Sequence, residues 1–367
     1  MAGVYDAIVV GAGPAGATAA REMAARGISV LLLESKKLPR DKPCGGGLTP
    51  RAWKHLAVPI DDLVLARSSG VRLQFGHRFS AQIRAEDAQI WMVRRREFDM
   101  RLAQDAVHRG VDLHDGEAAT GVEPGSRIRV TSHHDCYEAR VLIGADGAES
   151  RVARWLELTR PQRWMVGLEA EVAARDGMAS GEAIVDLAVP WGYAWAFPKG
   201  DCYNVGVGTF SRAHSPALRK LLDLFADEMR DRLAGPVKAV GHRIPTGLVS
   251  GPLHRENALI AGDAAGVADP FFAEGISYSL FSGKMAAKIV AEFLSGARPD
   301  LSAYTSTLNA VLRPDVRPWL LTAAIVHRFP EPSVRFLARS RWLRHLVERT
   351  IAGEVGSARL SNWAKVL

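Results

Sequence analysis

Cysteine is scarce in this chain, and no hydrophobic run reaches the length of a membrane span. The three cysteines, Cys44, Cys136 and Cys202, are odd in number and widely separated, which excludes a disulfide framework and a zinc cluster. A transmembrane helix needs about 20 consecutive apolar residues, and no stretch has them. Internal repeats and low-complexity segments are also absent. The composition, 47% hydrophobic and 24% charged over 367 residues, is typical of a globular protein and predicts two intertwined domains.

Acidic residues are sparse near the C-terminus, where the positive charge is concentrated. Residues 311–367 contain ten Lys or Arg and four Asp or Glu, which accounts for +6 of the chain's net charge of +7. Such a cluster suits anionic lipid headgroups, and a solvated helical face is the competing interpretation. No recognition motif accompanies the charge, so no nucleic-acid partner is predicted. We expect a cytoplasmic protein without a signal peptide, since the first strand begins at residue 4; peripheral contact with the inner membrane face is the hypothesis for the basic region.

Residues 4–34 have the pattern of a nucleotide-binding strand, turn and helix. An apolar run leads into GAGPAG, whose glycines are Gly11, Gly13 and Gly16. The first glycine permits a tight turn, the second lets the backbone approach a pyrophosphate, and the third lets the helix pack on the strand. Glu34 ends the next apolar run, where it can bond a ribose diol and would repel a 2′-phosphate. The stretch therefore predicts FAD or NAD rather than NADP.

A second turn of this kind lies far along the chain. The short apolar run ALIA at 258–261 enters Gly262 and Asp263, and a long helix of small residues opens after Gly275. Strand-like runs with alternating apolar residues fill the region between the two turns, at 70–90, 127–132, 139–143, 166–172, 183–187, 193–197 and 203–210. The distance between the turns predicts a nucleotide domain interrupted by a second sheet.

Four local motifs together resemble one class of flavoprotein. They are GAGPAG at 11–16, PCGGG at 43–47, PWGYAWAFP at 190–198 and GDAAGVADPFFAEGI at 262–276. The combination is similar to the geranylgeranyl reductase family, within the p-hydroxybenzoate hydroxylase class of FAD enzymes, and the similarity covers roughly residues 4–295. Members of this family saturate isoprenoid double bonds with reduced FAD.

The resemblance implies an α/β protein with a divided cofactor domain. A Rossmann-like FAD-binding domain of the glutathione-reductase type would be interrupted by an antiparallel-sheet substrate domain and followed by a helical C-terminal tail. The expected bounds are 1–70, 91–160 and 245–296 for the FAD-binding domain, 71–90 and 161–244 for the substrate domain, and 297–367 for the C-terminal helical region.

The same resemblance implies a set of FAD-binding residues. Glu34 would lie on the adenosine ribose, Arg95 at the phosphates or ribose, and Asp263 on the ribityl chain. Ala119 stands where the family usually has a valine that contacts adenine through its backbone. The complete set is Gly11, Gly13, Ala15, Gly16, Glu34, Cys44, Gly45, Gly47, Arg95, Ala119, Asp263, Gly275 and Ile276. No metal site is predicted.

Alkene reduction requires more than a hydride, and this requirement selects the candidate catalytic residues. An isolated double bond accepts hydride poorly, so a group must protonate it or stabilise positive charge at a substituted carbon. The Cys44 thiol is a candidate proton donor beside the flavin, with a small apolar filler as the alternative. Tyr193 and Trp195 are the other catalytic candidates, because aromatic faces stabilise cationic charge. The candidate substrate residues, for which plain sheet core is the alternative, are Trp191, Tyr193, Trp195, Phe197 and Phe271.

Other functions on the same cofactor scaffold remain open at this point. A flavin monooxygenase or a flavin halogenase would act on an aromatic or apolar substrate, and a protein that binds FAD only as a structural element is a further alternative. For the reductase, the substrate would be a prenyl lipid or a prenyl diphosphate. Only one complete dinucleotide fingerprint is present, so the electron donor would be NADPH that docks transiently or a ferredoxin-like protein.

Overall fold

The computed structural model describes residues 3–84, 89–179, 181–247 and 250–354, so parts of the predicted 70–90 strand pair and of the basic region at 311–367 lie outside the described residues. The strands are β1 (Val4–Val10), β2 (Val30–Glu34), β3 (Gly47–Leu48), β4 (Ala66–Ser68), β5 (Gly70–Phe75), β6 (Phe79–Arg84), β7 (Ile90–Met92), β8 (Asp112–Asp115), β9 (Ala119–Glu123), β10 (Ile128–Ser132), β11 (Cys136–Gly144), β12 (Trp164–Ala173), β13 (Ala183–Asp186), β14 (Gly192–Lys199), β15 (Cys202–Thr209), β16 (Val240–Pro245), β17 (His254–Arg255) and β18 (Ala258–Ile260). The helices are α1 (Pro14–Ala24), α2 (Pro50–Trp53), α3 (Arg95–His108), α4 (Arg151–Trp155), α5 (Leu218–Glu228), α6 (Ile276–Leu294), α7 (Ser302–Arg328), α8 (Pro330–Arg339) and α9 (Arg341–Ile351).

The first sheet brings the two predicted nucleotide turns to one edge. Its order is β17-β18-β11-β1-β2-β8, and β10 joins it through β11 with β9 beyond. Strands β18, β11, β1, β2 and β8 run parallel, and the apolar residues 7–10 of β1 and 30–33 of β2 are buried in the main apolar cluster of the protein. The carboxyl ends of parallel strands meet at one edge, so the turns after β1 and β18 lie side by side although about 250 residues separate them.

The second sheet gathers strands from two separate parts of the chain. Its order is β16-β12-β15-β14-β13-β5-β6, with β5 parallel to β13 and the other neighbours antiparallel. The architecture is therefore the interrupted α/β arrangement that the sequence predicts, while the residue bounds of its domains stay a prediction. A third, three-stranded sheet, β3-β7-β4, is built from chain segments that come directly before β5 and directly after β6.

Helices α7, α8 and α9 form the C-terminal region. Val334 and Leu337 of α8 are buried in one apolar cluster with residues of the second sheet. Within the described part of the chain, no helix combines the length and hydropathy needed to cross a bilayer.

Candidate functional site

A cleft of about 1250 Å³ lies between the carboxyl edge of the first sheet and the face of the second. Polar and small residues of the β1–α1 turn, the loop after β2 and the β18–α6 connection line one part. Apolar residues of the second sheet and of α7, α8 and α9 line another. The predicted site residues among its walls are Gly11, Gly13, Ala15, Glu34, Cys44, Gly45, Gly47, Arg95, Ala119, Tyr193, Trp195, Phe197, Asp263, Phe271, Gly275 and Ile276. The cleft therefore brings together residues from both ends of the sequence.

The glycines of the first turn have geometries that fit their predicted roles. Gly11 has φ +103°, and a Cβ atom there would lie 2.3 Å from the Ala145 carbonyl oxygen. A Cβ atom at Gly16 would lie 1.9 Å from the Gly11 carbonyl oxygen, so this glycine lets α1 start directly against β1 and does not itself line the cleft. Gly13 is the N-cap of α1 and makes no side-chain cap, which leaves the first-turn N–H groups available to an anion.

Glu34 is held at the same turn by backbone and by an arginine. Its carboxylate accepts a hydrogen bond from the Ala12 N–H at 3.0 Å and lies 3.3 Å from the guanidinium of Arg40. Arg40 also pairs with Asp99 at 2.9 Å, and Asp99 in turn pairs with Arg95 at 2.8 Å. Sequence reasoning missed Arg40, because a single basic residue in a Pro- and Gly-rich loop carries no recognisable signal.

The second turn supplies a partly buried carboxylate. Gly262 has φ +64°, and a Cβ atom there would lie 2.8 Å from the Cβ of Ala15. Burial raises the pKa of the neighbouring Asp263, although the charges of Lys42 and Arg95 act in the opposite direction. Gly275 is the N-cap of α6, again without a side-chain cap. A partly buried acid beside an uncapped helix start suits a ligand that offers hydroxyl donors and carbonyl acceptors.

The residues of the cleft fit FAD. The glycine turn and the open start of α1 suit the pyrophosphate, and Glu34 suits the adenosine ribose. Asp263 suits the ribityl hydroxyls, and the apolar part of the cleft beside the Cys44 loop suits the flavin ring. The close contacts at Gly11, Gly16 and Gly262 leave no room for side chains, so the shape of both turns is fixed by the fold itself.

The Cys44 loop lies directly against the aromatic strand β14. A Cβ atom at Gly45 would lie 2.8 Å from the ring of Phe197 and 3.8 Å from Nε1 of Trp195. The Trp195 ring centroid lies 5.8 Å from that of Tyr193 and 6.4 Å from that of Phe197. The loop that carries the predicted proton donor thus lies beside three of the predicted substrate residues, Tyr193, Trp195 and Phe197.

Trp195 is fixed by two residues of the neighbouring strand β15. Its Nε1–H donates to Oδ1 of Asn204 at 2.7 Å. A Cβ atom at Gly206 would lie 2.2 Å from the indole ring, so the ring lies across this glycine. Both Trp195 and Asn204 are buried.

The remaining predicted aromatic residues divide between the cleft and its exterior. Tyr193 is buried and its hydroxyl donates to the Phe272 carbonyl; burial, with Asp269 and Cys44 nearby, raises the pKa of the phenol. Phe271 is also buried and stacks on Trp319 at 5.6 Å. Trp191 does not line the cleft: its side chain is 40% exposed and lies 6.5 Å from the His327 ring. It precedes β14 with φ +53°, so the strand alternation used to predict its direction does not extend to it.

Two buried charged residues contact the Cys44 loop and were missed from the sequence. Glu169 accepts a hydrogen bond from the Cys44 N–H, and Lys199 donates to the Cys44 carbonyl at 3.3 Å. Burial raises the pKa of Glu169. Although burial acts in the same direction on Glu171, the charges and hydrogen bonds of Lys199 and Arg94 lower its pKa. A Glu-Ala-Glu stretch in an alternating strand gives no sign that one of the two acids is buried.

Replacing Gly206 by alanine is expected to displace the Trp195 ring and leave the cofactor in place. The new methyl group would overlap the indole, which must then leave its position across β15. We expect turnover to fall about 10-fold or more, since small displacements at a reacting centre have effects of that size. Gly121→Ala in β9, where nothing lies within 4 Å of the added Cβ, is the matched control. Steady-state kinetics with flavin absorbance measured on both proteins make the comparison.

Comparison with known proteins agrees with this cofactor assignment. Residues 4–180 match the family described as FAD binding domain. The chain is 34% identical to menaquinone reductase of Mycobacterium tuberculosis, over 78% of this chain and 76% of that protein. It is 30% identical to geranylgeranyl diphosphate reductase of Rhodobacter capsulatus, over 80% of this chain and 77% of that protein.

Solved structures share the fold at lower sequence identity. A geranylgeranyl bacteriochlorophyll reductase-like protein of Thermoplasma acidophilum has a TM-score of 0.80 and 21% identity, over 100% of this chain and 96% of the other. A flavin-dependent brominase has a TM-score of 0.77 and 20% identity, over 95% and 93%. At this identity both likenesses concern the fold alone.

Proposed function

The chain belongs to the geranylgeranyl reductase family of FAD-dependent oxidoreductases, and we propose that it saturates C=C bonds of an isoprenoid chain. The observation that carries the proposal is the contact between the Cys44 loop and the aromatic strand, inside one cleft whose other half is apolar. The two named relatives act on prenylated molecules according to their names. The likeness to a brominase extends only to the fold and favours neither a halogenase nor a monooxygenase.

In this proposal, different residues of the cleft donate the proton and stabilise positive charge on the substrate. Bound FAD, once reduced, supplies the hydride. The Cys44 thiol donates a proton to the second carbon, directly or through a water that it positions; its sulfur accepts a hydrogen bond from the Gly46 N–H at 3.4 Å. The rings of Tyr193 and Trp195 face the same cleft and stabilise positive charge that develops on the alkene.

The apolar part of the cleft holds the prenyl chain and excludes water from it. Residues of β5, β6 and β13 line one wall, and residues of α7, α8 and α9 line the other. Phe271 lies among these walls and extends the aromatic surface from β14. A wall of this kind recognises an isoprenoid by shape and hydrophobic contact, so the substrate is a prenyl lipid or a prenyl diphosphate rather than a small polar molecule.

The electron donor in this proposal is external. The single dinucleotide fingerprint at 11–16 is used by FAD, so NADPH would dock transiently or a ferredoxin-like protein would deliver electrons. Reduction of the bound flavin by NADPH, followed by its absorbance in the absence of oxygen, separates these two donors.

The function is tested by single-turnover reduction. The FAD-loaded protein, reduced with dithionite, is incubated with geranylgeranyl diphosphate, a menaquinone and a digeranylgeranyl glycerophospholipid. Mass spectrometry is expected to show a gain of two hydrogens per reduced bond in at least one of them, and none with the oxidised protein. Flavin that reacts with none of the three, but consumes oxygen when an aromatic substrate is added, would overturn the proposal.

The prenyl chain enters from a membrane surface in this proposal. Five large apolar side chains of the C-terminal helical region are exposed: Leu321, Ile325, Phe329, Phe336 and Trp342. Two of them, Ile325 and Phe336, also line the cleft, so its apolar part reaches the surface at these two side chains. Exposed arginines on the same helices include Arg317, Arg328, Arg335, Arg339 and Arg341. Basic residues near an anionic surface contribute about 1 kcal/mol each.

Liposome sedimentation tests this docking. We expect more protein to pellet with anionic vesicles than with neutral ones, and pelleting to fall when Phe336 and Trp342 are both replaced by serine. Leu224→Ser, which changes an exposed leucine on α5, is the matched control and should pellet like the unchanged protein. Equal pelleting with both kinds of vesicle, or with neither, would exclude the membrane contact.

A further inference from the structure

The peptide groups of Cys44 are held from both sides by side chains of the second sheet. Glu169 on β12 accepts the Cys44 N–H, and Lys199 on β14 donates to the Cys44 carbonyl at 3.3 Å. Cys44 is followed by three glycines, and glycine-rich backbone has no side chains of its own to fix its conformation. The position of this loop therefore depends on contacts that the sheet provides.

Both holding residues are ionisable and almost completely buried. The exposed fractions are 4% for Glu169 and 1% for Lys199. Lys199 is paired with Glu171 at 2.9 Å. The second oxygen of Glu169, Oε2, is buried and makes no hydrogen bond of ordinary length among the described residues, although the side chain of Asn204 is near enough to lower the pKa of the acid. Burying a carboxyl group with one unsatisfied oxygen is unfavourable, and sheet packing alone gives no reason to place it there.

The loop is shaped around the lysine. Gly46 has φ +72°, and a Cβ atom there would lie 2.8 Å from Nζ of Lys199 and 2.1 Å from the Val93 carbonyl oxygen. Lys199 reaches the Cys44 carbonyl only because residue 46 has no side chain. Gly46 is therefore required for the contact between Lys199 and the loop.

We propose that Glu169 and Lys199 are positioning residues that hold the Cys44 thiol in place for proton transfer. Gly46 N–H contacts the Cys44 sulfur, and the partly buried Arg95 also interacts with the thiol. Both contacts depend on the loop staying where the clamp, formed by Glu169 and Lys199, holds it. The inference rests on the proposed function, since it concerns the proton donor of that reaction.

The decisive comparison uses two changes at Glu169 and one at Lys199. Glu169→Gln keeps an oxygen that accepts the Cys44 N–H, whereas Glu169→Ala removes it. Lys199→Met keeps the stem and removes the donor. We expect kcat to fall about 10- to 100-fold in Glu169→Ala and Lys199→Met, with KM nearly unchanged and with the effect largely restored in Glu169→Gln. Glu169→Gln as impaired as Glu169→Ala would mean that the acid itself is required, which would overturn a positioning role.

Thiol reactivity gives a readout that does not need turnover. Cys44 alkylation by iodoacetamide, followed by peptide mass spectrometry, distinguishes this thiol from Cys136 and Cys202. A released loop opens more often, so Cys44 should react about 10-fold faster in Glu169→Ala and in Lys199→Met. An unchanged rate in Lys199→Met would overturn the clamp even if Glu169→Ala folds poorly.

The second sheet offers a matched control for general destabilisation. Asp186 on β13 is also a buried carboxylate, and it accepts the Gly76 N–H of another loop at 3.0 Å. Asp186→Ala should leave kcat and the Cys44 alkylation rate unchanged; changes equal to those of Glu169→Ala would overturn the proposal. If Cys44 is alkylated faster in the variants as expected, but the unchanged protein reduces no prenyl substrate, the proposed function is refuted and the clamp is still supported.

Discussion

Gly11→Ala is expected to yield a protein that no longer retains FAD. The added Cβ would lie 2.3 Å from the Ala145 carbonyl oxygen, and alanine disfavours the φ of +103° found here. Strained backbone of this kind costs about 1–3 kcal/mol, and the overlap with Ala145, which directly follows β11, must also be relieved by moving the turn. Because the turn is the predicted pyrophosphate site, we expect FAD affinity to fall by about 100-fold or more, which corresponds to about 3 kcal/mol.

Gly27→Ala is the control for this experiment. Gly27 also has a positive φ, of +76°, but nothing lies within 4 Å of an added Cβ. The control should lose about 1 kcal/mol of stability and remain yellow after gel filtration. Flavin absorbance per protein and fluorescence titration with FAD make the measurement. A Gly11→Ala protein that binds FAD as tightly as Gly27→Ala would contradict the cofactor placement.

Cys44→Ala is expected to lower turnover about 100-fold or more while FAD stays bound, since general acids commonly contribute a factor of that size. Cys44→Ser should recover part of the loss, because a hydroxyl also donates a proton but is a weaker acid than a thiol. The rate of alkene reduction by pre-reduced protein, at saturating substrate, is the quantity to compare. Solvent deuterium should appear at the protonated carbon in the unchanged protein.

Cys136→Ala separates a specific role from a general thiol effect. Cys136 lies on β11, outside the walls of the cleft, and its removal should leave turnover unchanged. Full activity of both Cys44 variants with normal FAD content would remove Cys44 from the mechanism and return it to an apolar contact.

Local patterns predicted the cofactor half of the protein well. The run at 4–10, the glycines and Glu34 lie where the pattern places them, because strand, turn and helix are set by neighbours in sequence. The contact between the two turns, at Gly262 and Ala15, could be expected only from the similarity of their sequence patterns, which suggested that both turns bind one ligand. The domain limits and the roles of individual site residues remain predictions.

The parts that escaped prediction depend on contacts between distant segments. Glu169, Lys199 and Asn204 are unremarkable in sequence, and their roles arise when β12, β14 and β15 become neighbours. Helix α5 ends at Glu228, since residues after it turn back to bond β12. Strand β8, with the sequence DLHD, has no apolar alternation and forms because β2 offers a parallel edge.

The cofactor site is divided between the turns after β1 and β18, and this has a consequence for biosynthesis. A ribosome releases the first turn early, but the partner turn at Gly262 emerges only after some 250 further residues. The nascent chain therefore has no complete cofactor pocket until most of it has been translated, and flavin capture is a late, whole-chain event. A fragment truncated before β18 would lack half the contacts and should emerge colourless, even if its leading strands assemble.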